Sequence, residues 1–332
     1  MQPPIPISGP LGLGDLLDGT FRLLRARFSK LALTAAIFLV PVGVLAILIF
    51  GVAANGFVAL FTVAAEEPFS SGASTEFGVL GAIFLVTLVG YLGTALAYVS
   101  LTSHVFAYLA GEDIAVGEGI RRGVRRLLPY IGAVLLYGLV LGVVALVFLF
   151  ALMILVVFLT AIVGIVFSTV TNNILINIGI LFITLFFTFV AGVAVMAPVG
   201  FLSASWIVGP TVAVGEARGP VSALARSWAL TKRNRWRCFG YLVLLTVLNY
   251  VILGLPVTVL QWLAVIILPP QIMGLISGVI IGLNYFFNIL WYPFLVLALV
   301  LLYFDLRVRN ESYDLDLRIR QLEESLPPAN LP

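Results

Sequence analysis

The stretch GEARGPVSALARSWALTKRNRWRCF, residues 215–239, decides how this chain is read, because it is the longest polar interruption in a sequence that otherwise resembles the interior of a lipid bilayer. It holds six basic residues, Arg218, Arg226, Lys232, Arg233, Arg235 and Arg237, together with Trp228 and Trp236. It holds no catalytic constellation. Around it, 62% of residues are hydrophobic, only 10% are charged and the mean hydropathy is +1.17. Soluble domains carry roughly 25% charged residues, so the composition excludes that class and predicts an all-α polytopic membrane protein.

Working outward, the island is flanked by apolar runs. Pro220 after Gly219 marks a helix start, and Val221, Leu224, Ala225 and Trp228 form a short apolar stripe beside Arg226 and Ser227. Residues 239–268 then read as a fifth span, and residues 272–304, after Pro269 and Pro270, as a sixth. Gly274, Gly278 and Gly282 recur every four residues on one face of that sixth helix, where a second helix would approach closely. They would pack within one chain or between two, which leaves a homo-oligomer open. A polar tail follows from 305, charged and helix-like at first and Pro-rich at its end; the tail proper is set at 309–332 and a flexible N-terminus at 1–10.

On the N-terminal side the same pattern appears twice more. Residues 11–30 place Leu13, Leu16, Leu17, Phe21, Leu24 and Phe28 on one helical stripe, with Asp15, Asp18, Arg22 and Arg25 off it. This helix either packs on the membrane domain or lies in the lipid interface. Residues 31–63 then contain no charge and form a first span, with Pro41 and Gly43 expected to kink it. A loop at 66–78 carries acids only, and 79–110 is a second span. Residues 111–129 repeat the opening motif: Val116, Ile120, Val124, Leu127 and Leu128 form the stripe, Arg121, Arg122, Arg125 and Arg126 the basic face, and Pro129 the stop. Two long apolar stretches follow, 130–170 and 174–214, parted by Thr171, Asn172 and Asn173. Each is about twice the ~20 residues a span requires; two long helices are preferred to four short ones, since that trio is the clear polar break, and Pro198 offers a kink in the second.

All 18 basic residues fall in four clusters, 22–30, 121–126, 218–237 and 307–320. With six spans these lie on one side, which the positive-inside bias assigns to the cytoplasm together with both termini. The expected location is a prokaryotic cytoplasmic membrane. Three pseudo-repeats emerge, at about 11–110, 111–214 and 215–308, each an amphipathic basic helix followed by a helix pair. Phe28, Leu128 and Trp236 close equivalent helices, and Gly111-Glu112 matches Gly215-Glu216. The whole of 11–308 is then one membrane domain.

The net charge of +3 does not argue for nucleic acid, because the bases sit beside apolar spans, where anionic lipid is the nearer partner. Candidate headgroup contacts are Arg22, Arg25, Arg121, Arg122, Arg125, Arg126, Arg226, Arg233, Arg235 and Arg237, with Trp228 and Trp236 as interfacial anchors; topology control explains the same arginines as economically. Cys238 is the single cysteine, so an intrachain disulfide is excluded. The N-terminus has neither the basic nor the apolar region of a signal peptide. The spans lack Asp, Glu, Lys and Arg until Asp305, which disfavours transport coupled to an intramembrane carboxylate. His104, with Ser100 one turn earlier, raises intramembrane hydrolysis, but no nucleophile signature surrounds Ser100, and one His with one Cys cannot fill a zinc site. No cofactor is expected. Asn249, Gln261, Asn284 and Asn288 read as packing glue, or as the lining of a small cavity.

At Ala223-Leu224-Ala225-Arg226-Ser227-Trp228-Ala229-Leu230-Thr231, preceded by Val212-Ala213-Val214-Gly215-Glu216, the chain resembles the membrane domain associated with bacterial glycerophosphoryl diester phosphodiesterases and its stand-alone YciC-like relatives. The opening LGDLLDGTFRLLRARF is similar to the start of such domains. In the fused proteins the resemblance implies that hydrolysis belongs to a separate soluble barrel. Nothing after residue 304 has room for one, so phosphodiesterase activity is not expected here. The leading expectation is a non-enzymatic scaffold or lipid-interacting module. The alternatives are a transporter or flippase of a lipid or small uncharged solute and, third, an intramembrane hydrolase.

Overall fold

The computed structural model describes residues 11–63, 73–170 and 174–311. Its elements, in order, are α1 (Leu13–Val63), α2 (Ala73–Leu109), α3 (Val116–Val124), α4 (Leu127–Val170), α5 (Ile174–Ser205), α6 (Gly209–Gly215), α7 (Pro220–Thr231), α8 (Arg235–Asn249), a single π-helical turn (Tyr250–Gly254), α9 (Leu255–Ile267) and α10 (Pro270–Glu311). Among the described residues there is no strand. Six helical segments, Leu13–Ile49, Ile83–Leu109, Leu127–Ala161, Phe182–Gly215, Arg235–Ala264 and Gly278–Glu311, are long and apolar enough to cross a membrane. The chain is an all-α polytopic membrane protein. The stretches 130–170 and 174–214 form two spans rather than four, because α4 and α5 each run without a break across most of their length.

Several boundaries move from their predicted places for identifiable reasons. The opening amphipathic helix and the first span meet at a kink at Arg27 (φ −130°, ψ 23°), three residues before the predicted boundary, and the kink lies there rather than at Pro41. There the Arg27 guanidinium leaves the helix to reach both oxygens of Asp113 at 3.1 Å and to lie over the Tyr108 ring at 4.7 Å. Pro129 does not stop the second basic helix. α3 already ends at Val124, and Pro129 sits in the first turn of α4, where its missing N–H has no acceptor to lose. α5 ends at Ser205, and the rest of the fourth stretch turns through 206–208 into the short α6. α8 begins at Arg235, earlier than residue 239, and α10 continues through Asp305 to Glu311. The acidic loop residues Glu66 and Glu67, the trio 171–173 and the tail beyond 311 lie outside the described residues.

α10 is the central post. Its residues 296–306 are all buried, and it packs most extensively along α1. Gly282 of α10 lies against Gly43 of α1, where a Cβ on Gly282 would come within 3.0 Å of the Gly43 carbonyl and one on Gly43 within 3.2 Å of the Gly282 carbonyl. These two positions set how closely the helices cross. Gly278 is buried on α10, and Gly274 belongs to the same helix. The large fully buried side chains, including Leu16, Leu101, Leu230, Tyr241 and Tyr303, gather around the α10 end that carries Asp305. α4 and α5 instead present Leu146, Phe150, Phe186 and Phe189 outward, as lipid-facing helices do.

Candidate functional site

The described members of the four basic clusters lie at the Asp305 end of the bundle, where three groups of ion pairs form. In the first, Asp305 is fully buried and ties two distant segments to α10. Its oxygens accept from the Leu11 N–H at 2.8 Å, from Arg237 Nη2 at 3.1 Å and from Arg309 Nε at 3.0 Å. The Leu11 carbonyl accepts in turn from Arg309 Nη2 at 2.7 Å and from Arg237 Nη2. The start of the opening helix is thus held by its own backbone. A buried carboxylate is stable only when paired in this way.

In the second group, Glu216 accepts from Arg218 at 2.6 Å, Arg226 at 3.3 Å and the Tyr303 hydroxyl at 2.8 Å, while Arg226 also pairs with Glu311. Burial alone would raise the Glu216 carboxyl; the Tyr303 hydroxyl and the arginines outweigh it and leave the group below its usual range. The turn that delivers Glu216 carries Ala217 at φ +57°, a left-handed conformation that a non-glycine residue adopts at a cost. The stretch 223–231 closes this corner of the bundle. Ser227 and Thr231 donate to the Ser205 carbonyl at 3.2 and 2.9 Å, capping the end of α5. Trp228 carries the Arg235 guanidinium over its ring at 4.0 Å and packs on Trp206.

The third group ties α1 to the segment before α3. Asp113 accepts from Lys30 at 2.6 Å as well as from Arg27, and the two cations hold its carboxyl below the ordinary range. On α3, Glu118 pairs with Arg121 at 2.6 Å and Arg122 at 3.0 Å, and Arg122 reaches Glu112 at 2.7 Å. α2 ends in a Schellman arrangement, with Gly111 at φ +84° and the Glu112 N–H bonded to the Ala107 carbonyl at 2.9 Å, which fixes where this segment leaves the span.

α3 does not dock through its predicted apolar stripe. Its buried residues are Gly119 and Gly123. A Cβ at Gly123 would fall 2.7 Å from the Ser100 Cα, and one at Gly119 would enter the His104 ring. Glycines one turn apart let α3 lie directly on the Ser100–His104 turn of α2, and this turns Val124 (44% exposed) and Leu128 (81% exposed) outward. The opening helix behaves similarly: Leu16, Thr20 and Leu23 are buried, whereas Phe21 and Phe28 face out.

The predicted headgroup arginines therefore divide. Arg226 and Arg237 are mostly covered and joined to carboxylates, Arg235 is stacked on Trp228, and Arg121 and Arg122 share Glu118. Arg22, Arg25, Arg125, Arg126 and Arg233 are exposed, with no side-chain partner among the described residues. Trp236 is 78% exposed and Trp228 is not. Asp305, which the sequence marks only as an acid closing a long uncharged run, is absent from the predicted contacts and is the buried partner of Arg237 and Arg309.

His104 Nδ1 faces the Ser100 carbonyl at 3.0 Å, and the Ser100 hydroxyl makes no hydrogen bond among the described residues, so the pair lacks the contact a nucleophile and base share. The Asn288 amide donates to the Asn284 carbonyl at 2.7 Å and to its side-chain oxygen at 2.9 Å, along one helix rather than between helices. Among the described residues no three His, Cys, Asp or Glu side chains are arranged to hold a metal ion.

A cleft of about 420 Å³ opens at this end between α2, α3 and α6. Arg122, Arg125 and Arg126 edge it beside Glu112, and Ser103, Phe106, Ala107 and Val214 line it. Comparison with protein-family models, curated proteins and solved structures gives no match for the chain.

Proposed function

We propose that this integral membrane protein is a non-enzymatic, lipid-interacting scaffold whose charged end lies at the cytoplasmic face and gathers anionic headgroups. The observation that carries the reading is the set of arginines left over once the internal ion pairs are made. Arg22, Arg25, Arg125, Arg126 and Arg233 have no carboxylate partner among the described residues, and outward-facing Phe21, Phe28, Val124, Leu128 and Trp236 lie close to them in sequence. Guanidinium next to exposed apolar side chain is the composition of a helix at a bilayer interface, where each cation attracts anionic lipid by about 1 kcal/mol.

In this reading the three units at 11–110, 111–214 and 215–308 are pseudo-repeats, with α1's first turns, α3 and α7 as corresponding basic helices. The resemblance at 223–231 suits a stand-alone membrane module of the same kind. The reading is tested by reconstituting the protein in nanodiscs of phosphatidylcholine with a minor share of phosphatidylglycerol and identifying retained lipid by native mass spectrometry. Phosphatidylglycerol enriched above its bulk share, and less so at high salt, is expected. Retention of the two lipids in proportion to the bulk would refute the reading.

A further inference from the structure

We propose that the cleft between α2, α3 and α6 is a discrete binding site for a phosphate group, with Arg125 and Arg126 as its free ligands. This rests on the reading above but is narrower, since it assigns one pocket rather than a charged surface.

The first feature that selects an anion at this cleft is charge. Of the four guanidiniums on this elbow, Arg121 and Arg122 are engaged by Glu118, and Arg122 is also held by Glu112. Two carboxylates against four guanidiniums leave two positive charges, carried by Arg125 and Arg126 on the rim of the cavity. A phosphomonoester carries about −1.5 to −2 charges at neutral pH and a phosphodiester one, so either is matched without further protein groups.

Geometry supplies the second part. Arg125 and Arg126 stand at the α3–α4 elbow, where the Arg126 N–H donates to the Gly123 carbonyl at 2.8 Å and the Tyr130 N–H to the Arg126 carbonyl at 3.1 Å. The Arg126 backbone is fixed at both its N–H and its carbonyl, and Arg125 is held between it and the end of α3. Arg122 is pinned by its Nε and Nη1, which leaves its Nη2 without a partner. The Glu112 carboxylate on the same rim is neutralised through that contact rather than opposing an incoming anion. Guanidinium forks match phosphate oxygens in paired hydrogen bonds.

The lining supplies the third. Phe106, Ala107 and Val214 are apolar, with Ser103 as the hydroxyl among them. Gly215, also in the lining, has no room for a side chain, since a Cβ there would enter the Phe106 ring. A basic rim over an apolar floor takes a phosphate with carbon attached, whether a lipid headgroup or a small soluble phosphate ester.

The test uses full-length protein in two arms. One measures phosphatidylglycerol retained in phosphatidylcholine nanodiscs by native mass spectrometry; the other titrates inorganic phosphate and glycerol 3-phosphate into protein in neutral nanodiscs, read by the melting temperature. Each arm compares wild type with R125Q/R126Q, with R22Q/R25Q as a charge-matched control elsewhere on the same end. Saturable binding in either arm, weakened about tenfold or more by R125Q/R126Q, is the expected result, whereas R22Q/R25Q lowers only the non-saturating enrichment of phosphatidylglycerol and leaves the affinity of the saturable site unchanged; the arm that saturates identifies the source of the phosphate. Equal, modest weakening by both pairs would overturn the cleft while leaving the scaffold reading intact. Absence of binding in both arms of wild type would overturn both. Should R125Q/R126Q fail to fold, Ser103→Leu, which keeps every charge but fills the floor, must abolish the same binding; its indifference would also overturn the site.

Discussion

Replacing Asp305 with Asn keeps the shape of the buried group and removes its charge. The carboxylate takes one bond from the Leu11 N–H and one from each of two arginines that are themselves only 19% and 25% exposed. Asn supplies one acceptor oxygen in place of two, so its NH2 faces only donors and at least one arginine contact is lost; a hydrogen bond to a charged partner contributes about 1.5–3 kcal/mol. The Leu11 carbonyl still accepts from both guanidiniums, which keeps the total near 2–3 kcal/mol and short of the ~3–5 kcal/mol seen when a buried pair loses a partner outright. Converted at about 1.36 kcal/mol per decade, this is a roughly 30- to 150-fold rise in the opening equilibrium constant of whatever Asp305 holds. The structure names that element as the helix from Leu13 to Arg27. Hydrogen exchange of D305N in nanodiscs should show the loss of protection in the amides of residues 14–23, with α4 unchanged. The R237Q/D305N double variant should lose less than the sum of the single ones, because both act on one network. If D305N leaves residues 14–23 as protected as in wild type, the buried carboxylate is not the anchor and the reasoning fails.

Gly123→Leu should lift α3 from α2, since no side chain fits against the Ser100 backbone; overpacking of this kind costs about 1–3 kcal/mol, and a melting temperature equal to wild type would contradict it. Ala217→Gly relieves a left-handed alanine and should stabilise the protein by about 1 kcal/mol, read as a higher melting temperature; a lower one would mean that the turn is not strained. Because the folded Asp113 carboxyl lies below its unfolded value, its tie to Lys30 and Arg27 is complete above the unfolded value and is lost as pH falls through the folded one. Pepsin cleavage near residues 110–116 should therefore appear only below about pH 4, and D113N should be cleaved at every pepsin-active pH; cleavage of wild type that does not change with pH would remove the tie. A reporter fused after Pro332 should be active only in the cytoplasm, and activity on the far side would invert the proposed orientation.

Much of the architecture was legible because its causes are local. Run length of apolar residues gives the spans, and the unbroken run from 130 to 170 gives one helix because nothing polar interrupts it. The positions of helix starts were less legible. Pro129 looked like a terminator and is a first-turn residue; proline suits both places, and only the end of α3 at Val124 separates them. The candidate headgroup arginines were all visible as one class of residue, yet Arg237 and Arg125 differ entirely in surroundings, since one meets a carboxylate 68 positions away and the other meets none among the described residues.

By itself, then, the sequence determined a membrane-embedded helical chain and the grouping of its bases, both of which follow from hydropathy and charge along short windows. Tertiary structure alone decided which face of each basic helix the protein keeps. On α3 the glycine face and the apolar stripe share the helical period, and only contact with the Ser100–His104 turn shows that the glycines go inward. It also decided which charges are spoken for. Asp305 takes Arg237 from 68 positions away as well as Arg309 from the next turn of its own helix, and the cations left without a carboxylate among the described residues are those an anion outside the protein can reach.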